Sequence, residues 1–147
     1  MELVYGGGHI GMMGALADAA LTAGGRVTGV IPQHLMRPEV VHLGLSELIV
    51  VDSMHQRKRL MADRADCFLV LPGGYGTLDE AFEMVTWLQL GLQRKPIALI
   101  NVSGYFDPLL QWVQHAVACG FVHRDHGNLL LAADTAQAAL AKLEQER

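Results

Sequence analysis

Cysteine, basic charge and long apolar runs are scarce in this sequence, and each shortage excludes a class of protein. Two cysteines, Cys67 and Cys119, stand among 147 residues and provide neither a disulfide framework nor metal-ligand spacing. A net charge of −4 lacks the basic field typical of nucleic-acid-binding proteins. No segment has the length and uniformity of a membrane span, and the first residues do not resemble a signal peptide. We therefore expect a cytoplasmic protein without nucleic-acid or membrane partners.

Short apolar segments of strand length alternate with longer segments of helical pattern along the whole chain. Predicted strands cover residues 3–5, 26–31, 47–51, 68–71, 96–100 and 128–132. Predicted helices cover residues 14–23, 53–65, 78–90, 106–118 and 135–146. This alternation predicts an α/β fold of the Rossmann-like type, a doubly wound parallel sheet in three layers with helices on both faces. We expect one domain over residues 1–147, with ligands at the carboxyl ends of its strands.

In residues 68–80, an apolar strand is followed by a glycine turn and the start of a helix. Gly73, Gly74 and Gly76 allow positive φ and leave room for a ligand against the backbone. Thr77 has the character of an N-cap, and Glu80 stands at the capping-box position three residues later. Such a loop indicates an anion site, most often for phosphate. The structural alternative is a tight turn in which Glu80 only caps its own helix.

An earlier glycine turn matches a dinucleotide-binding pattern weakly. Gly6, Gly8 and Gly11 have the right spacing, but no acidic residue stands at the end of the next strand, Ile31–Pro32. A phosphate or ribose contact from Gly8 is therefore favoured over a nicotinamide cofactor, and we expect no cofactor. The loop over residues 32–46 is long enough to suggest a functional segment.

Three consecutive cations, Arg57, Lys58 and Arg59, lie near a predicted helix N-terminus, where the helix dipole disfavours them. Either the three form a solvated basic face, or Arg57 and Lys58 contact a phosphate or carboxylate. His123 and His126 flank a charged loop without the spacing of a metal motif, so we expect no metal site.

The helix after the second glycine turn has two faces. One apolar stripe should pack on the sheet; it comprises Leu78, Ala81, Phe82, Val85 and Leu88. A second face combines carboxylates with a tryptophan; it comprises Glu80, Glu83, Trp87 and Leu90. This second face predicts a contact with another protein, most simply a second copy of the chain in a homodimer.

Three motifs together resemble the LOG (Lonely Guy) family. They are Gly6-Gly7-Gly8 through Gly14, Met54-His55-Gln56-Arg57-Lys58, and Pro72-Gly73-Gly74-Tyr75-Gly76-Thr77-Leu78-Asp79-Glu80. The last, P-G-G-x-G-T-x-x-E, is highly specific. The resemblance covers nearly the whole chain. It implies a cytokinin riboside 5′-monophosphate phosphoribohydrolase, a type of protein often described as a possible lysine decarboxylase, and homodimers with sites near the interface.

The resemblance implies hydrolysis of the N-glycosidic bond of a nucleoside 5′-monophosphate to free base and ribose 5-phosphate. It places the catalytic arginine and glutamate on Arg57 and Glu80, and substrate contacts on Lys58 and Glu39. It places the phosphate loop on residues Gly73, Gly74, Tyr75, Gly76 and Thr77. No lysine-anchored pyridoxal site is evident, so decarboxylation is disfavoured.

The sequence departs from the family pattern in three places. The usual N-terminal strand, loop and helix are missing, so we expect the domain to lack one βα unit. Asp79 replaces the glutamate that is commoner in the family, and the loop over residues 38–46 differs in amino-acid sequence from the family pattern. A nucleotide-binding or carrier protein without turnover is therefore the alternative function.

Overall fold

The computed structural model describes residues 1–146 as an α/β structure that divides into two compact units, Met1–Ala65 and the part from Asp66 onward. The first unit contains β1 (Glu2–Tyr5), α1 (Gly11–Thr22), β2 (Arg26–Pro32), β3 (Glu47–Val51) and α2 (Met54–Arg64). The second unit contains β4 (Phe68–Val70), α3 (Tyr75–Gln89), β5 (Ile97–Ile100), α4 (Asp107–Ala118), β6 (Leu130–Ala133) and α5 (Ala136–Gln145).

The sheet of the first unit is parallel, with the strand order β1-β2-β3. Tyr5 pairs with Gly29 and Val30 with Ile49, so β2 is the central strand. From Val27 onward β2 is buried, as expected for a parallel strand that is covered on both faces. Helix α1 packs on this sheet through Ala17, which joins a cluster with Tyr5 and Val27.

The sheet of the second unit repeats this arrangement with the order β4-β5-β6. The central strand β5 is buried at each of its residues. Helix α5 places Ala139 and Leu143 against Ala98 and Ile100. Thr135 caps this helix, because its hydroxyl accepts a hydrogen bond from the Ala138 N–H at 3.2 Å.

The predicted alternation of strands and helices is confirmed, and the fold is of the Rossmann-like α/β class. The β3 bounds agree with the prediction, and α2 begins after Ser53, whose hydroxyl accepts from the Gln56 N–H at 3.2 Å. The six strands, however, hydrogen-bond as two three-stranded sheets instead of one continuous sheet. Within residues 1–146, no helix is both long enough and apolar enough to cross a bilayer.

An ion-pair network ties the amino-terminal ends of the first three strands together. Arg26 contacts Glu2 at 3.3 Å and Glu47 at 3.1 Å, and Arg64 contacts Glu47 at 3.1 Å. The buried Thr28 hydroxyl donates to Glu2 Oε1 at 2.6 Å. Hydrogen bonds from Arg64 and Arg26 lower the pKa of Glu47, and those from Thr28 and Arg26 lower the pKa of Glu2.

Acid should weaken this unit through Glu47. Because the folded-state pKa of Glu47 lies below the usual 4.5, its contribution is present above that pH and is lost as the pH falls through the folded-state pKa. In Glu47→Gln, the free energy of unfolding from urea titrations should therefore depend less on pH below about 5. Glu144→Gln, at an exposed position on α5, is the control and should retain the parental pH profile. If Glu47→Gln kept the pH dependence of the parent, the acid sensitivity of this unit would not come from Glu47.

Candidate functional site

The second glycine turn opens directly into α3. Helix α3 begins at Tyr75 with Gly74 as its N-cap and without a side-chain cap. The prediction that Thr77 caps the helix with Glu80 in a capping box was wrong, because Thr77 is already the third helical residue. Glycine at position 73 permits this earlier start, since a Cβ there would lie 2.1 Å from Thr77 Oγ1.

The first turn of α3 contains backbone N–H groups that precede the first hydrogen bond of the helix. The Leu78 N–H donates to the Gly74 carbonyl oxygen at 3.1 Å, and the N–H groups of Tyr75, Gly76 and Thr77 precede this bond in the helix. A Cβ at Gly74 or Gly76 would meet no atom within 4 Å. Neither glycine has a positive φ, so the first expected reason for glycine here was wrong. The second expected reason, room against the backbone, agrees with the open space at Gly74 and Gly76. The positive end of the helix dipole and the open space beside the backbone suit this turn to binding an anion.

Glu80 lies on the second turn of α3 and is half-buried. Only Ala81 and Met84 of this helix are fully buried, so the predicted core stripe missed Met84. Glu83 and Trp87 are also half-buried within the chain, whereas Leu90 is 64% exposed. Side chains on several faces of α3 are thus at least half-buried, and not only those of one apolar stripe. On the predicted second face, Leu90 is the exposed residue.

Arg57 is buried and bonded to two backbone carbonyls. Its side chain projects from α2 and is only 9% exposed. Its Nε donates to the Val30 carbonyl oxygen at 3.1 Å and its Nη2 to the Gly6 carbonyl oxygen at 3.2 Å. A Cβ at Gly6 would lie 1.6 Å from Nη2, so only glycine leaves space for the guanidinium. This pairing across 51 positions was not visible in the sequence.

The first glycine turn is fastened to the long loop that follows β2. The His42 N–H donates to the Gly7 carbonyl oxygen at 3.0 Å, and the His9 N–H donates to the Val40 carbonyl oxygen at 2.7 Å. Gly8 forms an isolated antiparallel bridge with Val41 between them. The segment predicted as a long loop is therefore ordered against the glycine turn.

The predicted site residues divide between the two units. The first unit holds Gly8, Glu39, Arg57 and Lys58; Gly8 is buried, Lys58 is half-buried and Glu39 is exposed in a turn before Val40. The second unit holds the residues of the second glycine turn and Glu80.

A polar cluster beside the first glycine turn was not predicted from the sequence, because its members are distant in the chain. His42 is buried, with Nε2 2.9 Å from Asp18 Oδ1, and the exposed His9 ring meets the His42 ring edge-on. His42 Nδ1 accepts from the Gly44 N–H at 3.1 Å, which places the proton of the neutral ring on Nε2, facing Asp18.

The donor atoms of His9, Asp18 and His42 all lie within 4.8 Å of one another, which is close enough to consider a metal ion. A metal on His42 Nε2 would displace the proton there. A neutral ring would then carry its proton on Nδ1, facing the Gly44 N–H, whereas ligating histidines normally donate from their second nitrogen to an acceptor. The arrangement therefore favours a hydrogen-bonded His42–Asp18 pair over a metal site.

Tyr5 adds a second anchor to the first glycine turn. Its hydroxyl donates to the Gly8 carbonyl oxygen at 3.0 Å. Burial, and secondarily the charge of Asp18, raise the pKa of Tyr5 to about 12. The hydroxyl therefore remains a donor throughout the neutral pH range.

Replacement of Gly6 should test the packing of the Arg57 guanidinium. In Gly6→Ala the new methyl group displaces the guanidinium from two backbone carbonyls, and the free energy of unfolding should fall by about 3 kcal/mol. Gly76→Ala is the matched control, because a Cβ there meets open space and alanine favours a helix. Its stability in urea titrations should equal or exceed that of the parent. Equal stabilities of Gly6→Ala and the parent would show that the guanidinium is not constrained in this way.

Comparison with known proteins places this chain in a family. Residues 13–143 match the family described as "Possible lysine decarboxylase". A cytokinin riboside 5′-monophosphate phosphoribohydrolase of Oryza sativa subsp. japonica is 46% identical over 99% of the chain, which spans 60% of that protein. A protein of the same name from Rhodococcoides fascians is 53% identical over 83% of the chain and 62% of its own length.

A third relative, a probable cytokinin riboside 5′-monophosphate phosphoribohydrolase of Oryza sativa subsp. japonica, is 47% identical over 99% of the chain. The chain spans 65% of that protein, slightly less than two thirds. The two Oryza sativa proteins match nearly the whole chain, and the family match includes the second glycine turn, Arg57 and Glu80. These matches confirm the resemblance that the motifs indicated. The chain belongs to the LOG family, within the group of proteins described as possible lysine decarboxylases.

Proposed function

We propose that this protein hydrolyses the N-glycosidic bond of a nucleoside 5′-monophosphate, either cytokinin riboside 5′-monophosphate or AMP, to free base and ribose 5-phosphate. The observation that carries the proposal is the 46% identity, over 99% of the chain, to a relative named for this activity. In the reaction, water adds to C1′ of the ribose, the bond from C1′ to the base breaks, and the departing base takes up a proton. The reaction consumes only nucleotide and water, and we assign it no cofactor.

The phosphate is assigned to the second glycine turn. The N–H groups of Tyr75, Gly76 and Thr77 begin α3, and the space beside Gly74 and Gly76 is open. A dianionic phosphate there meets the positive end of the helix dipole and several donors. Binding of the phosphate, which is remote from the bond that breaks, orients the ribose for reaction.

Glu80 is assigned to the reacting end of the ribose. Glycosidic cleavage passes through an oxocarbenium-like state, and a carboxylate stabilises its positive charge. The same carboxylate could instead hold ribose hydroxyls or position the water. Its half-buried place on α3 limits the solvent that would screen its charge.

Arg57 supplies a fixed positive charge at the carboxyl ends of β1 and β2. Its bonds to two backbone carbonyls hold the guanidinium in one orientation, which suits either departure of the base or contact with phosphate. Lys58, Glu39 and Gly8 are proposed as further substrate contacts, on the basis of the family resemblance.

We further propose a homodimer with the reacting groups near the interface, in a cytoplasmic location. The support for a dimer comes from exposed apolar side chains in the second unit, namely Leu90, Leu92, Trp112 and Phe121. Cys67 and Cys119 are both free thiols, which suits a reducing compartment.

Glu80→Gln should separate catalysis from binding. The amide keeps the shape but removes the charge, so the turnover number for AMP or isopentenyladenosine monophosphate should fall at least about 100-fold with little change in nucleotide affinity. Free base is measured by chromatography and affinity by calorimetry. Asp79→Asn, which removes the adjacent exposed carboxylate of the same helix, is the control and should keep turnover within about threefold. Near-parental turnover in Glu80→Gln would remove Glu80 from the mechanism, and parental protein that binds AMP without releasing base would favour a non-catalytic binding protein.

The homodimer can be tested at the exposed end of α3. Light scattering at micromolar concentration should give twice the chain mass for the parent. Leu90→Glu introduces a charge into the proposed interface and should shift the mass toward the monomer. Leu43→Glu, at an exposed apolar position of the first unit, should leave the dimer intact. A monomeric parent would rule out the proposed assembly.

A further inference from the structure

A tyrosine from the loop after β5 reaches the second glycine turn. The Tyr105 hydroxyl donates to the Gly73 carbonyl oxygen at 2.8 Å, although the two residues are 32 positions apart. Both belong to the second unit. Tyr105 is 53% exposed, so its hydroxyl could be solvated by water if it had no protein partner. The bond therefore requires a reason other than satisfying a buried polar group.

The orientation of one peptide plane provides that reason. In a trans peptide, the carbonyl of one residue and the N–H of the next point in opposite directions. No peptide among the described residues is cis, so fixing the Gly73 carbonyl toward Tyr105 fixes the Gly74 N–H on the opposite side. Gly74 is the N-cap of α3 and has no side chain that could set this orientation.

The loop that carries Tyr105 is itself well anchored. The side chain of the buried Asn101 accepts from the Phe106 N–H at 2.7 Å and donates to Asp107 at 2.8 Å. The Tyr105 ring packs edge-on against the buried Phe106, with ring centroids 5.0 Å apart. Ser103 holds a φ of 52° in the same loop, a conformation that costs free energy for a residue other than glycine. These contacts fix the position of the loop and hence that of Tyr105.

We propose that Tyr105 is a positioning residue for phosphate binding. Its hydroxyl orients the Gly73–Gly74 peptide so that the Gly74 N–H joins those of Tyr75, Gly76 and Thr77 as a donor to the anion. This inference rests on the proposed function, since it concerns the phosphate of the proposed substrate. It adds a residue outside the glycine turn to the phosphate site and explains why a hydroxyl stands at position 105.

The test is Tyr105→Phe, which keeps the ring and its packing on Phe106 but removes the bond to Gly73. The Kd for AMP and for ribose 5-phosphate, measured by calorimetry, should rise about fivefold to tenfold. The Kd for adenosine, which lacks the phosphate, should not change. In turnover of AMP, KM should rise with kcat within about twofold, because the lost contact orients a group remote from the reacting bond. A purely structural role would weaken adenosine and AMP equally.

Thr86→Val is the matched control. It removes another hydroxyl-to-carbonyl bond in α3, from Thr86 Oγ1 to the Phe82 carbonyl oxygen at 2.7 Å, away from the glycine turn. Its affinities should equal those of the parent. In the parent itself, amide NMR with inorganic phosphate gives an independent measure that does not require any variant to fold. The Gly74 N–H signal should shift with phosphate together with those of Tyr75 to Thr77.

The outcomes separate this inference from the proposed reaction. If the parent releases base and Tyr105→Phe binds AMP as tightly as the parent, the inference is overturned and the reaction stands. If the parent binds AMP in a Tyr105-dependent manner but releases no base, the reaction is overturned and the inference stands. A parent that binds neither AMP nor phosphate, or a Gly74 signal unmoved by phosphate, would also overturn the inference.

Discussion

The buried guanidinium of Arg57 occupies the space that a side chain at position 6 would fill. Because its Nε and Nη2 are hydrogen-bonded to carbonyls at the ends of β2 and β1, the positive charge is fixed at the carboxyl edge of the first sheet. Taking a guanidinium out of water is costly unless its donors are satisfied, and the Val30 and Gly6 carbonyls each accept a hydrogen bond from it. Gly6 is therefore required because the guanidinium fills the space of a side chain, and not because of the conformation of the turn.

The second unit uses glycine in a related way. At Gly73 the absent side chain makes room for Thr77, which lets α3 begin at Tyr75. In each unit a tyrosine hydroxyl also donates to a glycine carbonyl, Tyr5 to Gly8 and Tyr105 to Gly73. Glycine turns have no side chains with which to fix their own peptide planes, so an external donor that fixes a carbonyl also fixes the adjacent N–H. The second turn thus combines an open approach at Gly74 and Gly76 with a defined orientation, whereas side chains crowd the first turn.

This combination suits the chemistry of a nucleotide substrate. A phosphate needs several N–H donors aimed at one point, and the cost of orienting them is met during folding instead of during binding. In the function proposed above, the half-buried carboxylate of Glu80 and the fixed guanidinium of Arg57 are assigned to the glycosidic cleavage. Relatives from Oryza sativa and Rhodococcoides fascians named for that reaction share about half of the matched residues with this chain.

The sequence by itself determined the class of fold and the candidate residues. Alternating apolar segments predicted six strands and five helices, which the described residues contain, and the P-G-G-x-G-T-x-x-E motif selected Glu80 and the proposed phosphate loop. Only the tertiary structure decided the pairing of the strands into two sheets and the partners of Arg57, His42 and Tyr105. Local patterns record helix and strand preferences within a few residues, whereas these contacts join residues 24 to 51 positions apart. Such contacts depend on which backbone groups the packed sheets bring close, and no local pattern encodes that.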